Sequence, residues 1–232
     1  MLDATTLRVA FGIAALTLLL LFYFVTYRST LSAFSLWWSR ALGLFLSGSA
    51  AYLLDGTTAQ VWANPLGNFL LVLGAGSVWA GARTLSGAAP AAWRLLAAPT
   101  VTVVVSAFDD PANNDWSGGP VLLGSMSLMI GLAARQLYRL DRDYSRSRRP
   151  LLIVSVALAV YYLLRLAAFL VDGPRGPIFT TWFGTEVTTL ITMVLLVVVS
   201  FSMAGISNEQ FARELSAGAA RNRRELTRGG EV

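Results

Sequence analysis

Apolar runs of bilayer length recur along the chain, separated by short stretches rich in charge, glycine or proline. The clearest is LLIVSVALAVYYLLRLAAFLV, residues 151–171, between Pro150 and Asp172. At about 1.5 Å per residue it covers roughly 30 Å, the thickness of a hydrocarbon core. Similar runs at residues 9–27, 36–54, 66–82, 92–108, 119–138 and 182–206 predict six more spans. The run at 9–27 is too long for a signal-peptide core and no small-residue cleavage site follows it. The pattern predicts an all-α fold: a multi-pass membrane bundle of seven transmembrane helices over residues 1–206, followed by a basic helical tail, 207–232. Gly56 and Pro65 are expected to break the segment after the second span, and Pro99 to bend the fourth. Gly67, Gly74, Gly76 and Gly81 in the third span predict close helix approach.

Charge orients the bundle. Loops on one side would hold Arg28 and Arg40, then Arg83 and Arg94, then six arginines from Arg135 to Arg149, and the tail five more from Arg213 to Arg228. The other side would hold Arg8 and Arg175, together with Asp55, Asp109, Asp110, Asp115 and Asp172. Basic loops stay on the cytoplasmic side, so the N-terminus is predicted outside and the C-terminus inside, in the cell membrane. Trp37, Trp38 and Trp62 are expected at interfacial depth.

The composition narrows the chemistry. The chain has 232 residues, 55% of them hydrophobic and 13% charged, with mean hydropathy +0.60. It contains no cysteine and no histidine, which excludes disulfides, thiolate centres and histidine-bound metal or haem. All 18 basic residues are arginine, so a retinal Schiff base has no lysine to form on. The net charge of +5 suggests nucleic-acid binding at first sight, but the arginines flank apolar spans and serve topology instead. No nucleophile with a base, and no metal cluster, stands at membrane or loop depth, so no cofactor and no enzymatic activity are expected.

Four phrases, FYFVTYRSTLSAFSLWWSRAL, YLLDGTTAQVWANPLGN, GAGSVWAGARTL and SFSMAGISNEQFAREL, resemble the N-terminal seven-span sensor regions of actinobacterial diguanylate cyclases. The resemblance covers about residues 7–215. In that family the last span runs into a cytoplasmic helix and then a GGDEF domain. Here Leu215 is followed by SAGAARNRRELTRGGEV, and Gly229, Gly230 and Glu231 lack the domain that a cyclase needs around such a turn. The resemblance therefore implies an input module and not the synthesis of cyclic di-GMP.

Arg165 lies inside the sixth span and Glu186 a few residues into the seventh, at similar depth on neighbouring helices, so an ion pair is expected. Tyr161 and Tyr162 share the face of Arg165, while Thr185, Thr188, Thr189 and Thr192 form a polar stripe. One reading is a ligand pocket in the outer half of the bundle. The other is a static pair that locks two helices, with Arg165 otherwise reaching for the outer headgroups. The acidic segment 109–115 does not follow an EF-hand order and reads as a solvated loop. In the tail, Phe211, Leu215, Ala219, Asn222 and Leu226 fall on one stripe, that of a signalling helix or of an amphipathic end on the membrane. These features together predict a membrane sensor that passes a signal along the last span to a cytoplasmic output. Its partners would be the lipid bilayer, a second copy through the tail, and a cytoplasmic signalling protein. A small-solute transporter or channel is the alternative.

Overall fold

The computed structural model describes residues 4–140 and 145–229, and every regular element among them is a helix. Helix α1, Ala4–Leu21, passes through a π-helical turn, Phe22–Tyr27, into the short α2, Arg28–Thr30. Helix α3, Ala33–Ala51, ends in a tight 3-10 turn; α4 spans Gln60–Thr84, α5 Ala92–Phe108 and α6 Gly119–Tyr138. Helix α7 is Ser145–Asp172, α8 the seven-residue Pro177–Phe183, and α9 the 45-residue Thr185–Gly229.

Five stretches are long and apolar enough to cross a membrane: Val9–Thr30, Gln60–Thr84, Gly119–Tyr138, Arg148–Asp172 and Pro177–Glu209. Helix α5 is apolar but has 17 residues, and the 19 residues of α3 include Arg40 and four serines that lower its hydropathy. Large apolar side chains point outward along these helices, among them Ile13, Leu20, Ile153, Leu164, Val194 and Phe201. So much exposed hydrocarbon suits a lipid environment.

Six helices close a ring: α1 packs on α3 and α9, α3 on α4, α4 on α6, α6 on α7, and α7 on α9. Helix α5 lies outside the ring against α4 and α6. The α3–α4 seam is narrow because Gly48 faces Gly67. A Cβ on Gly67 would come within 3.2 Å of the Gly48 carbonyl oxygen, so the backbones meet where other residues would hold them apart. The loops gather at two ends. One carries Asp55, Asp109, Asp110, Asp115 and Asp172 with Arg175; the other carries Arg28, Arg40, Arg83 and Arg94. At this arginine end Arg40, Arg83 and Arg94 lie over the rings of Trp37, Trp79 and Trp93 at 4.8, 5.3 and 5.1 Å.

Several boundaries differ from those expected. The turn between the first two helices shrinks to Leu31 and Ser32: Leu31 takes the left-handed conformation, and the Ser32 hydroxyl caps α3 by accepting from Ser35 N. Pro65 is not a breaker. It is the sixth residue of α4, because the chain becomes helical already at Gln60, and the helix continues through it with the loss of one backbone donor. Trp38 is buried in the core at 3% exposure, whereas Trp62 is exposed. Most of α8 falls in the segment 173–181, expected as a loop, and its first turn is capped by Asp172: its Oδ2 accepts from Ile178 N at 2.7 Å and from Phe179 N at 3.2 Å.

Candidate functional site

The helix ring encloses a cavity of about 600 Å³ that opens toward the acidic end. On α7 its lining runs from Arg165 to Leu151 and on α9 from Thr185 to Val199, 15 residues on each helix, whose ends lie about 21 Å apart at 1.5 Å per residue. Helix α5 contributes nothing to it. The floor is a packed cluster drawn from every ring helix, in which Phe34, Leu42, Leu137, Leu151, Met203 and Ile206 are less than 2% exposed or nearly so.

Arg165 stands near the mouth and is 7% exposed. Its Nε donates to the Phe183 carbonyl at the end of α8, at 2.8 Å. The guanidinium carbon lies 5.1 Å from the Trp116 ring centroid and 5.6 Å from that of Phe179. Trp116, Phe169 and Phe179 contact one another edge-on or tilted, at 5.0 to 5.7 Å, and build an aromatic wall beside the cation. Among the described residues, Nη1 and Nη2 make no hydrogen bond and no carboxylate pairs with the guanidinium.

The expected ion pair does not form. Glu186 is exposed and does not line the cavity, because one residue along a helix turns the side chain by about 100°, away from the face that carries Thr185, Thr188, Thr189 and Thr192. Those four threonines, Tyr162 and Arg165 all line the cavity. Tyr161 stands behind this lining, its hydroxyl 2.8 Å from Thr188 Oγ1 and its ring 5.6 Å from that of Phe183. Thr188 Oγ1 also reaches the Phe183 carbonyl at 3.3 Å, so this one oxygen receives both α7 and α9. Thr189 Oγ1 donates to Thr185 O and Thr192 Oγ1 to Thr188 O, each at 2.7 Å. Thr189 and Thr192 have therefore spent their protons on their own helix and keep lone pairs to offer as acceptors.

The sequence reading missed an amide ladder on α4. Gln60, Asn64 and Asn68, spaced by four, are each buried and fasten the segment 109–118 over the bundle. Asn68 Nδ2 donates to Ser106 Oγ at 2.8 Å and to Ser117 O at 2.9 Å, and Asn68 Oδ1 accepts from the Tyr52 hydroxyl. Asn64 Nδ2 donates to Asp115 O at 3.0 Å; Gln60 Nε2 donates to Pro111 O and to Asp115 Oδ1. The ladder sets the place of Trp116 and hence of the aromatic wall. Three amides at helical spacing in an apolar run are a visible signal. Glycine at position 118 is needed because the backbone there has φ +68° and passes 2.9 Å from Ser106 Cα, measured to a would-be Cβ.

The acidic segment is folded on itself. Asp109 Oδ2 accepts from Gly118 N at 2.8 Å, Asp110 accepts from Asn113 Nδ2, and no group of three metal-ligating side chains occurs among the described residues. In the tail, α9 runs unbroken to Gly229, with Phe211 and Leu215 exposed. The side chains of Ala219, Asn222 and Leu226 lie outside the described residues. Comparison with family models, with curated proteins and with solved structures finds no match for this chain.

Proposed function

We propose that the chain is a seven-span sensor of the cell membrane, N-terminus outside, whose cavity takes up a signal and whose last helix reports it to a cytoplasmic output. The resemblance to the sensor regions of diguanylate cyclases belongs to this proposal, as do a homodimer through the tail and a cytoplasmic signalling partner. The observation that carries it is the continuity of α9. The same helix forms one wall of the cavity from Thr185 to Val199 and extends to Gly229, about 67 Å over 45 residues. A change in how the wall packs moves the tail as part of the same rod. The exposed Phe211 and Leu215 offer that rod a partner surface. The packed floor favours a blind pocket over a solute path.

The chain has no cysteine, so introduced cysteines are labelled uniquely. Spin labels on Ala89→Cys, in the exposed turn after α4, and on Gly218→Cys, where a side chain meets nothing within 4 Å, report the tail against the bundle. Leu158→Trp on α7 fills the cavity and mimics occupancy. A shifted distance distribution in the filled variant is the expected result. An identical distribution, or uptake of small solutes into proteoliposomes, would overturn the sensor reading.

A further inference from the structure

We propose that the cavity is a site for a single-chain amphiphile bearing one carboxylate, of the long-chain fatty acid class, with its head on Arg165 and its chain running toward Trp38 and Leu151. The proposal rests on the cavity being the sensing site and adds the chemistry of what fills it.

The head is set by charge. A guanidinium keeps its proton at any pH the protein meets, and in a buried site an anion pairs with it more strongly than in water. Arg165 is 93% buried and lines the cavity, and its Nε donates to the Phe183 carbonyl. Its two Nη groups have no protein acceptor among the described residues. Two Nη donors in a fixed plane match the two oxygens of a carboxylate. The surroundings favour an anion of one charge. The hydroxyls of Thr189 and Thr192 already donate to Thr185 O and Thr188 O, so these two add no donors for further anionic oxygens. Asp115 lines the mouth above, where a doubly charged phosphate monoester would meet like charge more strongly than a carboxylate does.

The tail is set by shape and polarity. Below Tyr162 the lining is Leu158, Val154, Leu151, Leu195, Leu196 and their apolar neighbours. Ser155 and Thr192 are polar, and their Oγ atoms are already bound to Leu151 O and Thr188 O, each at 2.7 Å. A volume of about 600 Å³ over about 21 Å gives a mean cross-section near 30 Å², against roughly 80 to 110 Å² for an α-helix of 10–12 Å diameter. The cavity is therefore a slot for hydrocarbon chain, not for a peptide helix, and it ends blind on the packed floor.

The test is equilibrium binding of radiolabelled hexadecanoate to the full chain in lipid nanodiscs, with discs lacking protein as the partition control. Saturable binding is expected, displaced by unlabelled hexadecanoate and at least tenfold less well by methyl hexadecanoate, hexadecyl phosphate or butyrate. Arg165→Gln and Leu158→Trp should each weaken binding about tenfold or more, and Arg165→Lys less than Arg165→Gln. If Arg165→Gln fails to fold, Leu158→Trp, far from the charge, and the methyl ester still decide the question. Absence of saturable binding, equal displacement by the ester, tighter binding of the alkyl phosphate, or full retention in Arg165→Gln would overturn the proposal. Failure here with a tail that still answers Leu158→Trp leaves the sensor reading standing. Saturable binding with an unmoved tail keeps the site and removes the sensor.

Discussion

Replacing Arg165 by methionine separates a ligand site from a structural lock. The wild-type charge costs up to about 3 kcal/mol, the value for the centre of a membrane helix, and less toward the end where Arg165 stands. Against this stand the charged hydrogen bond to Phe183 O, worth about 2 kcal/mol, and contacts with the Trp116 and Phe179 rings, worth about 1 kcal/mol each. These contacts offset the cost, and among the described residues the substitution breaks no ion pair. Methionine has a similar reach and packs on the same aromatic wall. Arg165→Met should therefore change the stability of the ligand-free protein by less than about 2 kcal/mol, where breaking a buried ion pair costs about 3–5 kcal/mol. The ligand response should vanish: at a hundred times Kd, hexadecanoate stabilises the wild type by about 2.7 kcal/mol and the variant by nothing measurable. Reversible unfolding in mixed micelles, followed by tryptophan fluorescence with and without hexadecanoate, gives both numbers. A loss of more than about 4 kcal/mol in the ligand-free variant, or an undiminished response to the acid, would refute the reasoning.

Two further predictions concern the scaffold. Asn68→Leu removes the acceptor of the Tyr52 hydroxyl and the donor to Ser106 Oγ and the Ser117 carbonyl, and should destabilise the bundle by about 2–3 kcal/mol in the same unfolding assay, with a change in the emission of Trp116. Gly74→Ala places a Cβ 2.8 Å from the Phe45 ring and should cost about 1–3 kcal/mol, whereas Gly43→Ala, with nothing within 4 Å, should be neutral or stabilise by up to about 1 kcal/mol; the difference between their unfolding midpoints tests whether close approach of α3 and α4 is required.

The long apolar helices were legible because hydropathy and length report the same constraint, a solvent that satisfies no backbone group. Helices α5 and α6 keep the bounds read from sequence, since Asp109 and the Gly118–Pro120 step end one run and begin the next. Arg165, Tyr162, Thr185 and Thr189 were found as a group because helical spacing alone places them on facing surfaces. The partner of Arg165 was misread through depth: Glu186 lies at the right level on α9, but the face was decided by rotation. Helix α8 was hidden by three breakers, Gly173, Pro174 and Gly176, although Gly176-Pro177 after Asp172 has the composition of a capped helix start. The aromatic wall was not legible, since Trp116 reaches Arg165 only when the amides of α4 draw its segment inward.

The junction above the cavity is where binding would become movement. The Phe183 carbonyl accepts from Arg165 Nε on α7 and lies within reach of Thr188 Oγ1 on α9, and Thr188 meets the Tyr161 hydroxyl across the same seam. In the proposed sensor, an anion that draws the guanidinium into the cavity competes with this carbonyl, and α9 feels the change through Thr188. Tyr161→Phe tests that link, because Tyr161 does not line the cavity and the ring contact with Phe183 survives the loss of the hydroxyl. One interhelical hydrogen bond in a membrane is worth about 0.6 kcal/mol on average and up to about 1.7. Removing it should leave hexadecanoate affinity within about threefold of the wild type, because the head and chain contacts are untouched. The hexadecanoate-induced shift in the distance between labels at 89 and 218 should shrink, since α7 and α9 then lose the Tyr161–Thr188 link beside the Phe183 carbonyl. An unchanged shift would show that the signal reaches α9 directly through the cavity wall, and a large fall in affinity would place Tyr161 in the site itself.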